Sequence, residues 1–350
     1  MTRLSGITPS GRVQLGNYLG AIRHWAERSS ENGDLRAHGD PSSRTSPGNG
    51  DDLYFVSDLH AMTTPHNPAR LRSLTAEQLA VLIAAGIPVD SVFVQSDLTR
   101  ELGALAWILE CTCTYGEAAR MIQFKEKARA KSSKGRTGAR LSLLTYPVLM
   151  AADILLQGAS EVPVGEDQRQ HVELARALAR RFNATYGEVF TVPRAVLPPV
   201  AARVRDLSDP SRKMSKSAHD SAGVVFVLDE PDLVRRKIRR AITDGGTATE
   251  TIGVSSDPAQ AGVTNLVEIL AACTATAPET AADGIGSYRE LKETVTEAVL
   301  ETLRPVRESA LALLADPAEL GRVRKGGAVR AAERGEHRLN AALRLAGAGQ

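Results

Sequence analysis

Strand and helix signals alternate strictly through the opening of this chain, and that order limits its fold more than any other feature. A short apolar run from Arg3 to Ile7 ends in the turn Thr8-Pro9-Ser10-Gly11 and is followed by a helical pattern from Gly16 to about Glu31. Leu53-Tyr54-Phe55-Val56-Ser57 then reads as a buried strand, Pro68 to Ala85 as an amphipathic helix, and Ser91-Val92-Phe93-Val94-Gln95 as a further strand. Strands joined through helices run parallel, so the expected fold class is α/β, a Rossmann-type doubly wound parallel sheet. Residues 33–50 carry no period and little to bury, which predicts a mobile surface loop without a ligand role.

From Glu101 to Phe182 the pattern is mostly helical, broken by the basic, glycine-containing stretch from Ala130 to Arg140. Apolar, strand-like segments return at Val189 to Val192 and Val224 to Leu228, and from Pro231 helical patterns dominate, with a loop read between Thr243 and Gly262. The expected organisation is a catalytic domain over 1–220, containing a helical insertion over about 101–187, and a helical C-terminal domain over 221–350.

At 350 residues, 43% hydrophobic and 24% charged, the chain suits a large domain plus a smaller one and is too apolar for wholesale disorder. Its longest apolar runs, such as Leu79 to Ala85, fall far short of the ~20 residues a membrane span needs, and Met1 to Gly6 lack a secretion signal. A cytoplasmic protein is expected. Cys111, Cys113 and Cys273 make no disulfide framework and no zinc-ligand spacing, so they are expected to be reduced thiols. With 43 basic and 41 acidic residues the net charge is only +2, which excludes general coating of nucleic acid but leaves room for a local basic surface facing one folded RNA.

Two segments carry phosphate chemistry. Lys213-Met214-Ser215-Lys216-Ser217 places two ammonium groups and two hydroxyls on a short loop with one apolar anchor. The turn Thr8 to Gly11, followed by Gln14-Leu15-Gly16-Asn17-Tyr18, sits where the first strand meets the first helix, the place where open parallel sheets bind nucleotides. Each has a plainer reading, an exposed Lys/Ser turn and an ordinary glycine turn. Their joint occurrence in this order is what singles them out. In a helix beginning near Pro147, Met150, Asp153 and Gln157 share a face, with Tyr146 just ahead of it. An acid among Leu149, Ile154 and Leu155 needs a donor if buried, although a solvent-facing aspartate is the commoner case.

The string K-M-S-K-S is the signature of class I aminoacyl-tRNA synthetases, and Ser5 to Gly11 with Gly16-Asn17-Tyr18-Leu19-Gly20 resembles the opening of the bacterial tryptophanyl-tRNA synthetases. Met121 to Lys127, Leu144 to Pro147, Leu149 to Leu155 and Val162 to Gln168 resemble the same family, so the likeness covers nearly the whole chain apart from 33–50. The resemblance implies activation of L-tryptophan with ATP and Mg2+, the metal held through the ATP phosphates, and transfer to tRNA(Trp) by a homodimer whose interface lies in the inserted segment. It implies ATP contacts from Thr8, Pro9, Ser10, Gly16, Asn17, Gly165, Glu166, Asp167, Val204, Lys213, Met214, Ser215, Lys216 and Ser217, with Lys213, Lys216, Asn17 and Lys127 as the catalytic set. Asp153 becomes the reader of the indole, Met150 packs on its ring, Tyr146 and Gln168 stand near the α-amino group, and His60 near the amino-acid head.

Taken alone, His60 is more simply structural, and Glu166 and Asp167 simply complement a helix dipole. Arg235, Arg236, Lys237, Arg239 and Arg240 are candidate tRNA phosphate contacts, or equally a solvated helix face. Three positions depart from the family pattern: Thr8 stands where Gln is usual, Leu4 where an aromatic is common, and Gln14 in place of Thr. They bear on affinity rather than on the reaction. The competing expectations are a tyrosyl-tRNA synthetase of the same architecture and a non-charging tryptophan sensor.

Overall fold

The computed structural model describes residues 1–37, 52–121, 140–197, 204–215, 222–243 and 252–349, without the side chains of 31–37. Strand β1 (Arg3–Ile7) turns into the short α1 (Leu15–Asn17), a π-helical turn (Tyr18–Ile22) and α2 (Arg23–Ala37). β2 (Asp52–Val56), α3 (Asp58–Ala61), α4 (Pro68–Ala84) and β3 (Val92–Val94) complete the first half of the sheet. Then come α5 (Thr99–Thr112), α6 (Tyr115–Ala119), α7 (Ser142–Gln157), β4 (Glu161–Pro163), α8 (Glu166–Tyr186) and β5 (Arg194–Val196). The rest is helical: α9 (Pro231–Arg239), α10 (Ala261–Thr274), α11 (Pro278–Ala282), α12 (Tyr288–Ala315) and α13 (Pro317–Leu345).

The five strands order as β3-β2-β1-β4-β5, every pair parallel, as the βαβαβ pattern requires. Strand order reverses between β1 and β4, and such a switch point opens a crevice at the carboxyl ends of its strands. Only Arg3 and Glu161 pair in the β1–β4 ladder. Side chains reinforce that short contact: Glu161, buried at the other end of the sheet, accepts from Arg3 Nε at 2.6 Å and from Arg194 of β5, and these bonds hold its carboxyl below the usual range.

Several expected boundaries move. Helix α2 runs on through Gly33 to Ala37, because an established helix gains a hydrogen bond with each residue added and one glycine costs only about 1 kcal/mol. The remainder of the expected loop, 38–50, lies outside the described residues, as does Asp220. β4 interrupts the stretch read as helical, being too short for periodicity to reveal. The fifth strand forms at Arg194–Val196 rather than Val189–Val192, on a sheet edge exposed enough not to demand apolar residues. Val224 to Leu228, buried except for the half-buried Phe226, forms a loop laid against the turn after β1 by bonds from Leu15 N to Val225 O at 2.8 Å and from Val227 N to Val13 O at 2.9 Å.

The helices that follow residue 222 are not set apart from the sheet. Val13, Leu79, Met214, Val224, Val263 and Val299 belong to one buried cluster. The last helix, α13, lies over β3 at the sheet edge, which removes an open edge. A Cβ on Gly327 would overlap the Val92 carbonyl oxygen, so only glycine permits this approach. Arg324 of α13 grips Asp97 with two bonds of 2.7 Å just beyond β3. Cys111, Cys113 and Cys273 are free thiols. Among the described residues no helix is long and apolar enough to cross a membrane.

Candidate active site

A cavity of about 820 Å³ opens at the carboxyl ends of β1 and β4, at the switch point. Its walls begin with Leu4, Ser5 and Gly6 of β1 and Phe55 of β2, and continue through Val162, Pro163 and Val164. At Gly6 any Cβ would sit 2.7 Å from a Phe55 ring carbon, so glycine lets that ring cover the strand.

Asp153, from the middle of α7, contributes a carboxylate to this cavity while remaining 2% exposed. The side-chain amide of Gln95 donates to both of its oxygens, at 3.0 and 2.8 Å, and His60 Nε2 lies 3.0 Å from Oδ2. Gln95 is itself oriented, because its Oε1 accepts from the backbone N–H groups of Leu59 at 3.1 Å and His60 at 3.4 Å. Burial pushes the Asp153 carboxyl above the usual carboxylate range, and the bonds from His60 and Gln95 oppose that push. His60, expected near the amino-acid head, lines the cavity and bonds to the acid. The helix starts at Ser142 and contains Pro147, so Tyr146 is a helical residue rather than one ahead of it. Met150 lines the cavity beside Asp153, but Gln157, a turn further on, donates to the Ala331 carbonyl at 3.1 Å under α13.

Tyr146 and Gln168 are joined by a residue that sequence reasoning passed over. The Tyr146 hydroxyl lies 3.0 Å from His171 Nε2, His171 Nδ1 lies 3.0 Å from Gln168 Oε1, and Gln168 Nε2 donates to Asp167 at 2.9 Å. This chain of bonds is satisfied by a neutral imidazole protonated on Nδ1, with Tyr146 donating to Nε2. Burial raises the Tyr146 hydroxyl to about 12, which keeps it a donor. His171 lies one helical turn beyond Gln168, and that i, i+3 spacing was the available signal. For Gln95 the signal was its place, a polar residue just past the carboxyl end of a buried strand.

Gly165, Glu166 and Asp167 open α8 on the same cavity, and Thr8 closes it on the β1 side, its hydroxyl 2.8 Å from that of Ser57. Pro9 and Ser10 border a second hollow that adjoins the first through Thr8, His60 and Thr63. Gly16, Val204 and Met214 form a separate group around Gln14. One Gln14 side chain accepts from Gly16 N and donates to Met214 O at 3.0 Å, so it ties the turn after β1 to the lysine loop. Met214 is buried, its N–H donating to Val204 O at 3.2 Å, while Lys213 and Ser215 are exposed. Asn17, in α1, carries a buried Oδ1 without a partner among the described residues. Lys127, Lys216 and Ser217 lie outside the described residues.

On α9 Arg235, Arg236 and Arg239 are exposed, as is Arg240 just past its end, with Arg235 paired to Asp232 at 2.9 Å. Lys237 differs from the expectation placed on it: its ammonium is buried, donating to Val224 O at 2.6 Å and Asp229 at 2.7 Å, so it has no free face for a phosphate.

The model of the family "tRNA synthetases class I (W and Y)" matches residues 1–304. Tryptophan–tRNA ligase 1 of Streptomyces coelicolor is 50% identical over 335 residues, which is 95% of this chain and 93% of that one. Among solved structures, the tryptophanyl-tRNA synthetase of Mycoplasma pneumoniae superposes with a TM-score of 0.81 at 30% identity, covering 99% of this chain and 98% of that one. The Campylobacter jejuni tryptophanyl-tRNA synthetase, in complex with ADP and tryptophan, follows at 0.78 and 27%, with 99% and 100% covered. Likeness of this extent, on a sheet whose switch point holds a buried acid, leaves one reading of descent: the chain belongs to the class I tRNA synthetases, on their bacterial tryptophanyl branch.

Proposed function

We propose that this chain is a tryptophan–tRNA ligase that activates L-tryptophan with ATP and then transfers it to the 3′ end of tRNA(Trp). The observation that carries the reading is the Asp153 carboxylate, held by Gln95 and His60 in a wall shared with Met150 and Phe55. An indole needs an apolar surround and one acceptor for its N–H, and this wall offers both. Tyr146 and Gln168, fixed through His171, stand further along the cavity for the α-amino group.

Tryptophan's carboxylate is ionised at neutral pH, so attack on the α-phosphorus of ATP needs no strong base. A bond forms from carboxylate oxygen to phosphorus while the bond to the departing pyrophosphate breaks. Alignment and charge stabilisation then carry the rate. Gly165, Glu166 and Asp167 serve the nucleotide with Thr8 to Asn17, and Lys213 and Lys216, with Lys127, serve the phosphates. Met214 and Gln14 hold the root of the lysine loop while Lys213 stays exposed to close on the leaving group. Among the described residues no group of three His, Cys, Asp or Glu side chains is placed to hold a metal ion. Mg2+ enters this reading on the ATP phosphates, where it supplies charge neutralisation.

Arg235, Arg236, Arg239 and Arg240 offer charge for tRNA phosphates from the C-terminal helices. Trp107, Tyr115 and Leu141 stand 68%, 70% and 72% exposed within the segment assigned to a homodimer interface, where a second copy would cover them. The reading places the enzyme in the cytoplasm. Charging of purified tRNA(Trp) with tryptophan tests it: accumulation of tryptophanyl-tRNA is expected, whereas tryptophan binding without charging would make the chain a sensor.

A further inference from the structure

We propose that Gln78 of α4 is a positioning residue for the adenylate step, holding from behind the turn that serves the nucleotide, an assignment that rests on the ligase reading. The turn from Thr8 to Gly11 has little of its own to fix it. Pro9 has no N–H to give, Gly11 has no side chain to pack, and the bond from Ser10 N to Thr8 O at 2.9 Å spans only three residues. One amide on the neighbouring helix spans the whole of it. Gln78 Nε2 donates to Thr8 O at 3.2 Å and to Gly11 O at 3.0 Å, the carbonyls at its two ends. A planar group with two N–H bonds thereby sets how far apart the ends of the turn stand.

Packing alone does not account for a glutamine here. Its side chain is fully buried, and its Oε1 meets no partner among the described residues, a cost that an apolar side chain on this face of α4 would not carry. The preceding residue grips the next part of the same segment. Glu77 Oε2 lies 3.3 Å from Arg12 Nε, and burial pushes its carboxyl above the usual range while Arg12 and the Val13 backbone oppose that push. Arg12 reaches on to Asp229 Oδ1 at 3.3 Å and stands 5.0 Å from the centre of the Phe226 ring. Gln14, further along, donates to Met214 O at the root of the lysine loop. The segment after β1 is thus set by α4 at one end and tied to the lysine loop at the other. Such fixing of the nucleotide's contacts before ATP arrives is what alignment-driven catalysis requires. The tryptophan side has its own support, since Asp153 is held by Gln95 and His60. Loss of the Gln78 donors therefore falls on ATP and spares tryptophan.

The test is Gln78→Met, which keeps the length of the side chain and removes both donors. In tryptophan-dependent exchange of pyrophosphate into ATP, kcat/KM for ATP is expected to fall at least about tenfold, the span for losing two neutral hydrogen bonds. The Kd for tryptophan, titrated without ATP, is expected to stay within about twofold. In Gln78→Glu an ionised carboxylate faces the two carbonyls, whereas the protonated acid regains one donor. Its exchange rate, taken as a ratio to the unaltered enzyme at the same pH, is therefore expected to rise as pH falls. Glu77, Arg12 and Asp229 are common to both enzymes, so the ratio reports the introduced acid. A kcat/KM for ATP within about twofold of the unaltered enzyme, an equal loss for ATP and tryptophan, or a ratio that does not change with pH would overturn the assignment. Failure of the unaltered enzyme to catalyse exchange would strike the ligase reading itself, not the role given to Gln78.

Discussion

Two donors, His60 and Gln95, converge on the buried Asp153 carboxyl and oppose the rise in pKa that burial imposes. An indole N–H would be a further donor, so tryptophan binding must lower the carboxyl's pKa from its raised value in the free protein. Affinity for tryptophan is therefore constant above the free-protein pKa and falls as pH drops through it, in a window above the ordinary aspartate range. Calorimetric titration across that window checks the sign. In Asp153→Asn the pH dependence is expected to vanish and affinity to fall roughly tenfold to a hundredfold, the span for losing a hydrogen bond to a charged group. Met150 and Asp153 were placed on one face because i, i+3 spacing needs only a helix, not its boundaries, while Tyr146, read as lying ahead of that helix, was singled out by the family resemblance. Gln95 and His171 were not singled out, since their partners come from elements distant in sequence or from a hydrogen-bond chain that spacing only hints at. Lys237 was misread for the opposite reason: a basic run looks solvated until the fold supplies Asp229.

Among the elements, the long apolar or amphipathic ones were read well and the short ones poorly. β1, β2 and α4 are long enough to show their period, and β3, though only three residues, is apolar and buried throughout, whereas the three-residue β4 and β5 carry charged or part-exposed positions and are defined by the strands beside them. Val224 to Leu228 shows the limit of apolarity as a signal, because burial against the turn after β1 can be met by a loop. The docking of α13 was invisible, although its glycines are in plain view, since nothing local says which surface a glycine face will meet. Gly327→Leu is expected to force α13 away from β3 and to cost about 1–3 kcal/mol, the usual range for overpacking. Urea unfolding measures it, and an unchanged midpoint would mean that the helix is not seated there.

At the scale of the whole molecule, the division near Asp220 remains a working proposal laid over a shared core. Gln14, Met214 and Val225 show why that core matters: the turn after β1, the lysine loop and the segment leading into the C-terminal helices are bonded to one another. The C-terminal helices thus share one buried cluster with the turn after β1, and α13 packs in a second against α7, the helix that carries Asp153, with Gln157 donating to the Ala331 carbonyl at 3.1 Å. In the proposed reading amino-acid choice rests on the cavity around Asp153, and adenylate chemistry on that cavity together with the lysine loop. Exchange of labelled pyrophosphate into ATP by the purified protein, with tryptophan or tyrosine as the only amino acid, tests that pairing most directly. Exchange that depends on tryptophan and is negligible with tyrosine is the predicted result. Equal exchange with tyrosine, or none with tryptophan, would contradict the reading of this cavity.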